Sequence, residues 1–568
     1  MYSTKFSALY RLNQSINHVR RSFFSQTYIN GQWVSSQSGE TFKVYNPANG
    51  HEIGSVPDCN IQDAEKAVQA AHDAFHHKWS MKTGKERSIV MKKFYDLIVK
   101  NKDQLGKILT TEMMLFNFSN SIVCIENEGK PLREAVGEIL YGASYIEWFA
   151  EEAKRIHGDV LPSILPDRRS FVIRQPIGVC GFITPWNFPS SMILRKAGAA
   201  LAAGCTVVVK PAEDTPYSCL AVCDLAKEAG FPDGSFNVIT SARSAEVGKF
   251  LCEHPLISKM SFTGSTEVGK KIMAMCASTV KKISLELGGN APFIVFNSAD
   301  VKQAVQGAMA SKFRASGQTC VCANRILVQE GIYDEFMSEF IKKTKEQVVG
   351  DGLNESINLG PVINQDQYER IIDFISDAKE RGAKIVTGGK EKKGKTSGFF
   401  IQPAIVTDVN LSMRVAKEEI FGPVAAIIKF KTEDEAVNIA NSVDVGLAAY
   451  VFSQDISQIW RVAERIQTGM VGLNEGIISS VEAPFGGIKQ SGFGREGSKY
   501  GIDDYVNMKY ICLGGLKGLD RGLRLICLND DNNLQKDGYE LYTSARGFDD
   551  FVTAWPPSTN TTSIDDSK

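Results

Sequence analysis

The apolar positions of this 568-residue chain follow two rhythms. Short β-branched and aromatic runs stand between longer stretches with an apolar residue every three or four positions. Near the start, Tyr28-Ile29-Asn30-Gly31-Gln32-Trp33 and Thr41-Phe42-Lys43-Val44-Tyr45 predict two strands around a Ser/Gly turn, and Asn46-Pro47-Ala48-Asn49-Gly50 predicts a further turn. Helical spacing follows over 63–75, with Asp63 as an early-turn acid, over 84–99 and over 132–156. Strands are then expected over 168–175, 179–184, 206–209, 236–239 and 259–262, with helices over 192–203, 219–229 and 245–252 between them. A second series runs from Ala291 to about Phe485, its clearest strands over 293–296, 325–329, 383–387 and 424–430. Such alternation predicts an α/β fold with doubly wound parallel sheets. No internal repeat is evident.

Two stretches break the rhythm. Residues 113–127 are apolar and Asn/Ser-rich, with no charge until Glu126, between amphipathic and charged flanks. They read as an insertion, because without them residues 109–112 and 128–132 join as one continuous helical segment. Residues 517–568 are polar and read as a disordered extension.

Composition narrows the function classes. Hydrophobic residues at 43% and charged residues at 23% are those of an ordinary globular protein, and the length suggests roughly two to four domains. A formal net charge of −1 offers no basic field for nucleic acid or a membrane surface. The longest clean apolar run, 197–209, is too short to span a bilayer. Twelve Cys lack paired zinc spacing, and with seven His they read as mostly reduced core thiols, with no metal site expected. The first acidic residue is Glu40. Before it, Lys5, Arg11, Arg20 and Arg21 lie among Ser, Phe, Leu and Tyr, the pattern of a mitochondrial transit peptide over about residues 1–23. A basic tail without targeting function is the plainer alternative.

Candidate chemistry centres on Gly317-Gln318-Thr319-Cys320-Val321-Cys322, a cysteine in a Gly/Thr turn just after an Ala- and Met-rich helical segment over 304–315. Upstream, Leu285-Glu286-Leu287-Gly288-Gly289 offers a carboxylate, and Pro185-Trp186-Asn187-Phe188-Pro189 an amide donor in a Pro-bounded loop. Thiol, carboxylate base and amide donor are the parts of covalent acyl chemistry on a carbonyl. The stretch from Phe262 to Gly269 predicts a strand, a Gly turn and a helix N-terminus, where backbone N–H groups attract phosphate. Lys210 and Glu213 follow a strand, where a carboxylate would accept from ribose hydroxyls and repel a 2′-phosphate, favouring NAD over NADP. Taken alone, each of these also fits a plain structural role. Cys320 and Cys322 lie close enough to suggest a strained, reducible disulfide and so a redox switch; Cys322 is otherwise a small packing residue.

These motifs occur in one order together with Lys210-Pro211-Ala212-Glu213, Phe262-Thr263-Gly264-Ser265 and Glu418-Glu419-Ile420-Phe421-Gly422-Pro423. In that order they resemble the aldehyde dehydrogenase superfamily over about residues 28–516, and most closely its members that act on succinate semialdehyde. The resemblance implies Cys320 as nucleophile, an oxyanion between the Asn187 amide and the Cys320 N–H, and Glu286 as the base for thioester hydrolysis. NAD would be held by Lys210, Glu213, Gly264, Ser265, Trp186, Leu287, Glu419 and Phe421. The substrate carboxylate would meet Arg195, Arg314 and Ser479. The expected architecture is a coenzyme-binding domain over 28–157 and 177–288, a catalytic domain over 289–488, and a small β oligomerisation arm over 158–176 and 489–516. A homotetramer or homodimer in the mitochondrial matrix, oxidising succinate semialdehyde to succinate as in 4-aminobutyrate degradation, completes the expectation. Glutarate semialdehyde, one methylene longer, remains an alternative, as does a non-catalytic scaffold on the same fold.

Overall fold

The computed structural model describes residues 25–112, 130–165, 167–350, 352, 354, 356–389 and 398–516. The expected transit peptide over 1–23, the insertion over 113–127 and the extension over 517–568 lie outside these residues. The chain divides into one unit of Met1–Leu161 and Phe171–Ile511, which carries both large sheets, and a small unit of Pro162–Ser170 and Cys512–Lys568. In the small unit the Leu516 N–H donates to the Asp167 carbonyl at 3.0 Å.

At the N-terminus the structure corrects the strand pairing. Residues 28–33 are not one strand but a tight hairpin, Thr27–Ile29 pairing antiparallel with Gln32–Val34. The turn is Asn30-Gly31, with φ of 50° and 74°, and Asn-Gly is the pair that two-residue hairpins favour. Thr41–Tyr45 then pairs with Glu52–Pro57, across the predicted turn that begins at Asn46. The helices begin where local chemistry places them. Asn60 and Asp63 form a capping box at Ile61–Ala74, and Thr83 and Glu86 form another at Gly84–Lys100. The helix Lys102–Glu112 and the helix Leu132–Glu152 are separate, and Pro131 at the start of the second has ψ 129°, outside helical geometry.

A six-stranded sheet has the spatial order Gly492–Phe493, Lys282–Glu286, Ile257–Thr263, Val179–Ile183, Thr206–Lys210, Phe236–Val238. All its pairings are parallel except that of the edge strand Gly492–Phe493. Thr206–Lys210 is buried at every position, as a strand covered on both faces must be. Helices Ser191–Ala203 and Pro216–Ala229 both end on a left-handed glycine, Gly204 and Gly230, each with φ 100°. A seven-stranded sheet follows, in the order Lys384–Thr387, Ala404–Thr407, Val424–Phe430, Ala323–Gln329, Ala291–Val295, Ala448–Phe452, Met470–Leu473. It is parallel apart from Lys384–Thr387.

A separate three-stranded sheet of Val506–Leu513, Arg169–Pro176 and Asp159–Leu161 stands where the arm was expected. The expected arm segment 489–516 is divided, however. Lys489 pairs with Val445 beside the second sheet, and Gly492–Phe493 joins the first. A two-residue strand is too short to read from residue periodicity, and its partner lies some two hundred positions away.

Arg325 shows how the second sheet admits a buried charge. It is fully buried within Ala323–Gln329, yet it donates to the carbonyls of Asn290, Ile439 and Ala440 at 2.6 to 3.3 Å. Burial lowers its pKa to about 10. Arg325→Met leaves three carbonyls without their donor and is expected to destabilise the fold by roughly 3 kcal/mol. Thermal and denaturant unfolding check this; an unchanged midpoint would contradict it.

Candidate active site

Four parallel strands end at one edge of the first sheet. Their register aligns Thr263 with Glu286, Phe262 with Ile183, and Ile183 with Lys210. The Pro185–Pro189 loop, the Lys210–Glu213 turn, the Gly264 turn and Glu286 therefore emerge together, at the carboxyl ends where open α/β sheets bind ligands.

Lys210 is buried and Glu213 half-exposed, with Lys210 Nζ 3.4 Å from Glu213 Oε2. Ser244, at the start of helix Ser244–Glu253, donates its hydroxyl to the same carboxylate oxygen at 3.0 Å. Gly264 donates its N–H to the Glu286 carbonyl at 3.1 Å. Ser265 caps helix Thr266–Cys276, so the N–H groups of that helix's first turn face the same edge. Leu287 is buried, and its N–H is bonded to the Ser491 carbonyl. Glu419 accepts from the Gly289 N–H at 3.0 Å, and burial raises its pKa to about 7. A Cβ on Gly288 would lie 2.7 Å from Glu419 Oε2, so a larger residue there would have to displace that carboxylate. Phe421, at φ 55°, meets Trp186 edge to face with ring centroids 5.5 Å apart. This donor set suits a dinucleotide: a helix N-terminus for pyrophosphate, Lys210 and Glu213 for a ribose, and an aromatic pair beside Glu419.

Cys320 follows a distorted elbow. The helix expected over 304–315 ends at Phe313, because Arg314 turns to ψ 137° and Ala315, Ser316 and Gly317 have φ of 50°, 56° and 75°. Left-handed backbone at two non-glycine residues costs of order 1 kcal/mol each. Distant segments hold it: Glu134 accepts from the Ala315 N–H at 3.0 Å, and Ser316 Oγ donates to the Gly360 carbonyl at 2.8 Å. Gln318 donates to the Ala315 carbonyl at 3.2 Å and accepts from the Ile363 N–H at 3.0 Å. Asn187 Nδ2 donates to the Gln318 carbonyl at 2.9 Å, which sets the amide beside the cysteine turn. A Cβ on Gly289 would lie 2.5 Å from the Cys320 carbonyl oxygen, so the Glu286–Gly289 segment also closes on this turn. Cys320, Glu286 and Asn187 therefore come together from three separate segments.

Burial pushes the Cys320 thiol up to about 12, partly opposed by the Arg195 charge. Burial and neighbouring Glu496 raise the Glu286 pKa well above the carboxylate range, and its Oε2 has no hydrogen-bond partner. Cys322 is buried; Lys312 Nζ donates to its sulfur at 3.3 Å, and both Cys320 and Cys322 are free thiols. Among the described residues, no group of three or more His, Cys, Asp or Glu could hold a metal ion, and no helix is long and apolar enough to cross a membrane.

The three expected carboxylate-binding residues do not stand together. Arg314 and Ser479 line one cavity of about 240 Å³ with Lys130, Glu134, Tyr141 and Phe188. They also line a tight recess with Thr319, Val321 and Tyr450. Arg195 is not among these lining residues: it is 1% exposed, ion-paired to Glu496 and 4.2 Å over the Phe485 ring. A buried charge of this kind must find a counter-ion, and Glu496 supplies it.

Sequence reasoning missed the residues that hold the loop. Lys130 Nζ lies 2.6 Å from Glu138 Oε2 and donates to the Asn187 carbonyl at 3.1 Å. Glu138 Oε1 in turn accepts the N–H groups of Ser190 and Ser191, capping helix Ser191–Ala203. Glu134, Glu138 and Tyr141 recur at four and three positions in helix Leu132–Glu152, a polar helical face that could have flagged them. Glu496 carried no such local signal.

Comparison with known proteins agrees with this geometry. The profile of the aldehyde dehydrogenase family matches residues 33–511. The chain is 54% identical over 493 residues to mitochondrial succinate-semialdehyde dehydrogenase of Rattus norvegicus, covering 86% of this chain and 90% of the relative. It is 49% identical to a glutarate-semialdehyde dehydrogenase of Pseudomonas aeruginosa over 494 residues, 87% of this chain and 98% of the relative. Among solved structures, an E. coli NADP-dependent enzyme superposes with a TM-score of 0.82 at 49% identity, over 87% of this chain and 99% of the other. Ordered motifs, parallel-sheet architecture and family match all agree: the chain belongs to the aldehyde dehydrogenase family.

Proposed function

We propose that this enzyme oxidises succinate semialdehyde to succinate with NAD, in the mitochondrial matrix. The observation that carries the substrate is the cavity holding Arg314 and Ser479 close to the Cys320 turn. Arg314 offers a guanidinium fork to a carboxylate, and Ser479 a hydroxyl. The name of the rat relative supports the same substrate and compartment, and the basic, acid-free first 39 residues support the compartment. Glutarate semialdehyde, which the Pseudomonas relative's name specifies, is the second reading. Glu213 favours NAD, because its carboxylate would repel a 2′-phosphate. The exposed apolar residues Val160 and Met508 on the three-stranded sheet favour pairing with another copy, as a homodimer or homotetramer.

In this reading Cys320 Sγ attacks the aldehyde carbon, and the Asn187 amide turns from the Gln318 carbonyl to the new oxyanion, with the Cys320 N–H as second donor. Bound NAD supplies the hydride acceptor, held by Lys210, Glu213, Gly264, Ser265, Trp186, Leu287, Glu419 and Phe421. Glu286 takes a proton from the water that hydrolyses the Cys320 thioester. Its burial and unpartnered oxygen make it basic enough to do so.

Cys320→Ala is expected to abolish NADH formation while leaving NAD binding by calorimetry intact. Arg314→Ala is expected to raise KM for succinate semialdehyde by roughly tenfold or more and leave acetaldehyde turnover nearly unchanged. An equal loss on both aldehydes would discard the carboxylate pocket. Preference for NADP would overturn the cofactor reading.

The pH dependence follows from the directions of the pKa shifts. The reactive forms are Cys320 thiolate and Glu286 carboxylate, and burial raises both pKa values, Cys320 to about 12. The deprotonated fraction of each therefore grows as pH rises. Steady-state kcat/KM is expected to climb from neutral into alkaline pH, and a flat profile would contradict the assignment.

Cys320 and Cys322 are also inferred to form a reversible switch. Hydrogen peroxide would oxidise the two thiols to one disulfide and be reduced to two water molecules, blocking the nucleophile, and a thiol reductant would restore it. Cys322→Ala is expected to remove the reductant-reversible part of peroxide inactivation, measured as activity recovered after dithiothreitol. Unchanged recovery would exclude the switch.

A further inference from the structure

The cavity that holds Arg314 and Ser479 also holds two carboxylates, Glu134 and Glu138, on successive turns of helix Leu132–Glu152. A pocket for an anion gains nothing from an ionised carboxylate. Glu138 has a separate role: its buried side chain lies 2.6 Å from Lys130 Nζ and accepts the N–H groups of Ser190 and Ser191. Glu134 does not share it. Its Oε2 accepts from the Ala315 N–H at 3.0 Å, and the cations that act on it are Lys130, Arg314 and Arg133. Lys130 is committed to Glu138 and to the Asn187 carbonyl, and Arg133 is exposed to water. Arg314 is therefore the counter-charge of Glu134.

The charges in the cavity then decide the consequence. Lys130 cancels Glu138, and Arg314 cancels Glu134, so with all four ionised the cavity is neutral. A substrate carboxylate brings one more negative charge into about 240 Å³, beside a Phe188 ring over which Lys130 and Arg314 lie at 4.1 and 5.4 Å. An uncompensated charge there is costly, and two carboxylates sharing one site disfavour joint ionisation. The other lining groups do not supply the compensation. Ser479 is neutral, and the Tyr141 hydroxyl is bonded to that of Tyr145 at 2.6 Å. One proton on Glu134 restores neutrality and frees Arg314 for the substrate.

We propose that Glu134 selects aldehydes that carry a carboxylate by taking up one proton as they bind, so that its carboxyl group donates a hydrogen bond to the substrate carboxylate. This rests on the reading of the cavity as the substrate-carboxylate site. The proton comes from bulk water, sits on the Glu134 oxygen that is not bonded to Ala315, and returns to water when the product leaves. An O–H donated to a carboxylate makes a short, strong hydrogen bond. An aldehyde without a carboxylate draws no proton.

Burial raises the Glu134 pKa above the ordinary carboxylate range, opposed by Lys130, Arg314, the Ala315 N–H and Arg133, and this lowers the cost of the protonated form. Above the raised pKa the free enzyme holds Glu134 ionised. Binding must then draw in the proton, so affinity falls as pH rises.

The test uses the full enzyme with NAD. Butyrate, which has the substrate's chain length and carboxylate but no aldehyde, is titrated by calorimetry in phosphate and in Tris, whose different ionisation heats report the protons taken up. Wild type is expected to take up close to one proton per butyrate at about pH 9, with Kd rising by about tenfold per pH unit there. Glu134→Gln, which keeps an acceptor for the Ala315 N–H, is expected to bind butyrate without proton uptake and with a level Kd. Kinetics give a second readout. Ionisation of Cys320 and Glu286 acts on every aldehyde, so it cancels in the ratio of kcat/KM for succinate semialdehyde to that for acetaldehyde. This ratio is expected to fall as pH rises in wild type and to stay level in Glu134→Gln. Butyrate binding to wild type without proton uptake overturns the proposal, and so does unchanged uptake in Glu134→Gln. Should Glu134→Gln fail to fold, uptake by wild type decides. Butyrate binding that Arg314→Ala leaves unchanged would instead overturn the reading of the cavity as the substrate-carboxylate site.

Discussion

The structure turns on the backbone elbow at Ala315, Ser316 and Gly317. Three successive left-handed residues are unfavourable for an isolated chain, and here they reverse its direction just before Cys320. The bonds that hold them come from elsewhere: Glu134 on helix Leu132–Glu152, and the carbonyls of Gly360 and Pro361. A Cβ on Gly317 would lie 2.2 Å from the Gly422 carbonyl oxygen, so the Glu419–Gly422 loop presses against the same turn. Cys320 is therefore positioned only when helix, loop and both sheets are assembled, and the cost of the elbow is offset by that assembly.

Buried charges form the second layer of this arrangement. The Lys130–Glu138 pair ties the Asn187 loop to helix Leu132–Glu152 while capping the next helix. Arg195 and Lys196 share Glu496 beneath Glu286. Burial works against Glu496, but these two cations hold it below the usual carboxylate range, whereas Glu286, left with an unpartnered oxygen, is held above it. Two neighbouring carboxylates are thereby driven to opposite protonation preferences, the condition under which one stays ionised as the other exchanges protons. Such pairs add little net stability, since desolvation cancels most of the attraction, but each removes freedom from a reacting group.

Much of this was legible in the residues. The alternation of strands and helices, the capping acids and the ordered motifs around Asn187, Glu286 and Cys320 are local signals, and local chemistry acts the same way in any fold. Where the reading failed, a local signal was overlooked or absent. Asn30-Gly31 was an available hairpin turn inside what looked like one strand. Arg195 looked like Arg314, a cation near the cysteine motif, yet only Arg314 reaches the cavity.

The two parallel sheets and the family could be read from the residues alone, and the same motifs nominated a thiol, a carboxylate and an amide, because periodicity and short motifs survive without coordinates. Tertiary structure decided which charges meet. Lys196 and Glu496 are 300 residues apart in the chain and 2.5 Å apart in space. No spacing rule connects them. What does is the low dielectric of the interior, which makes an unpaired charge so costly that the fold must bring a partner to it.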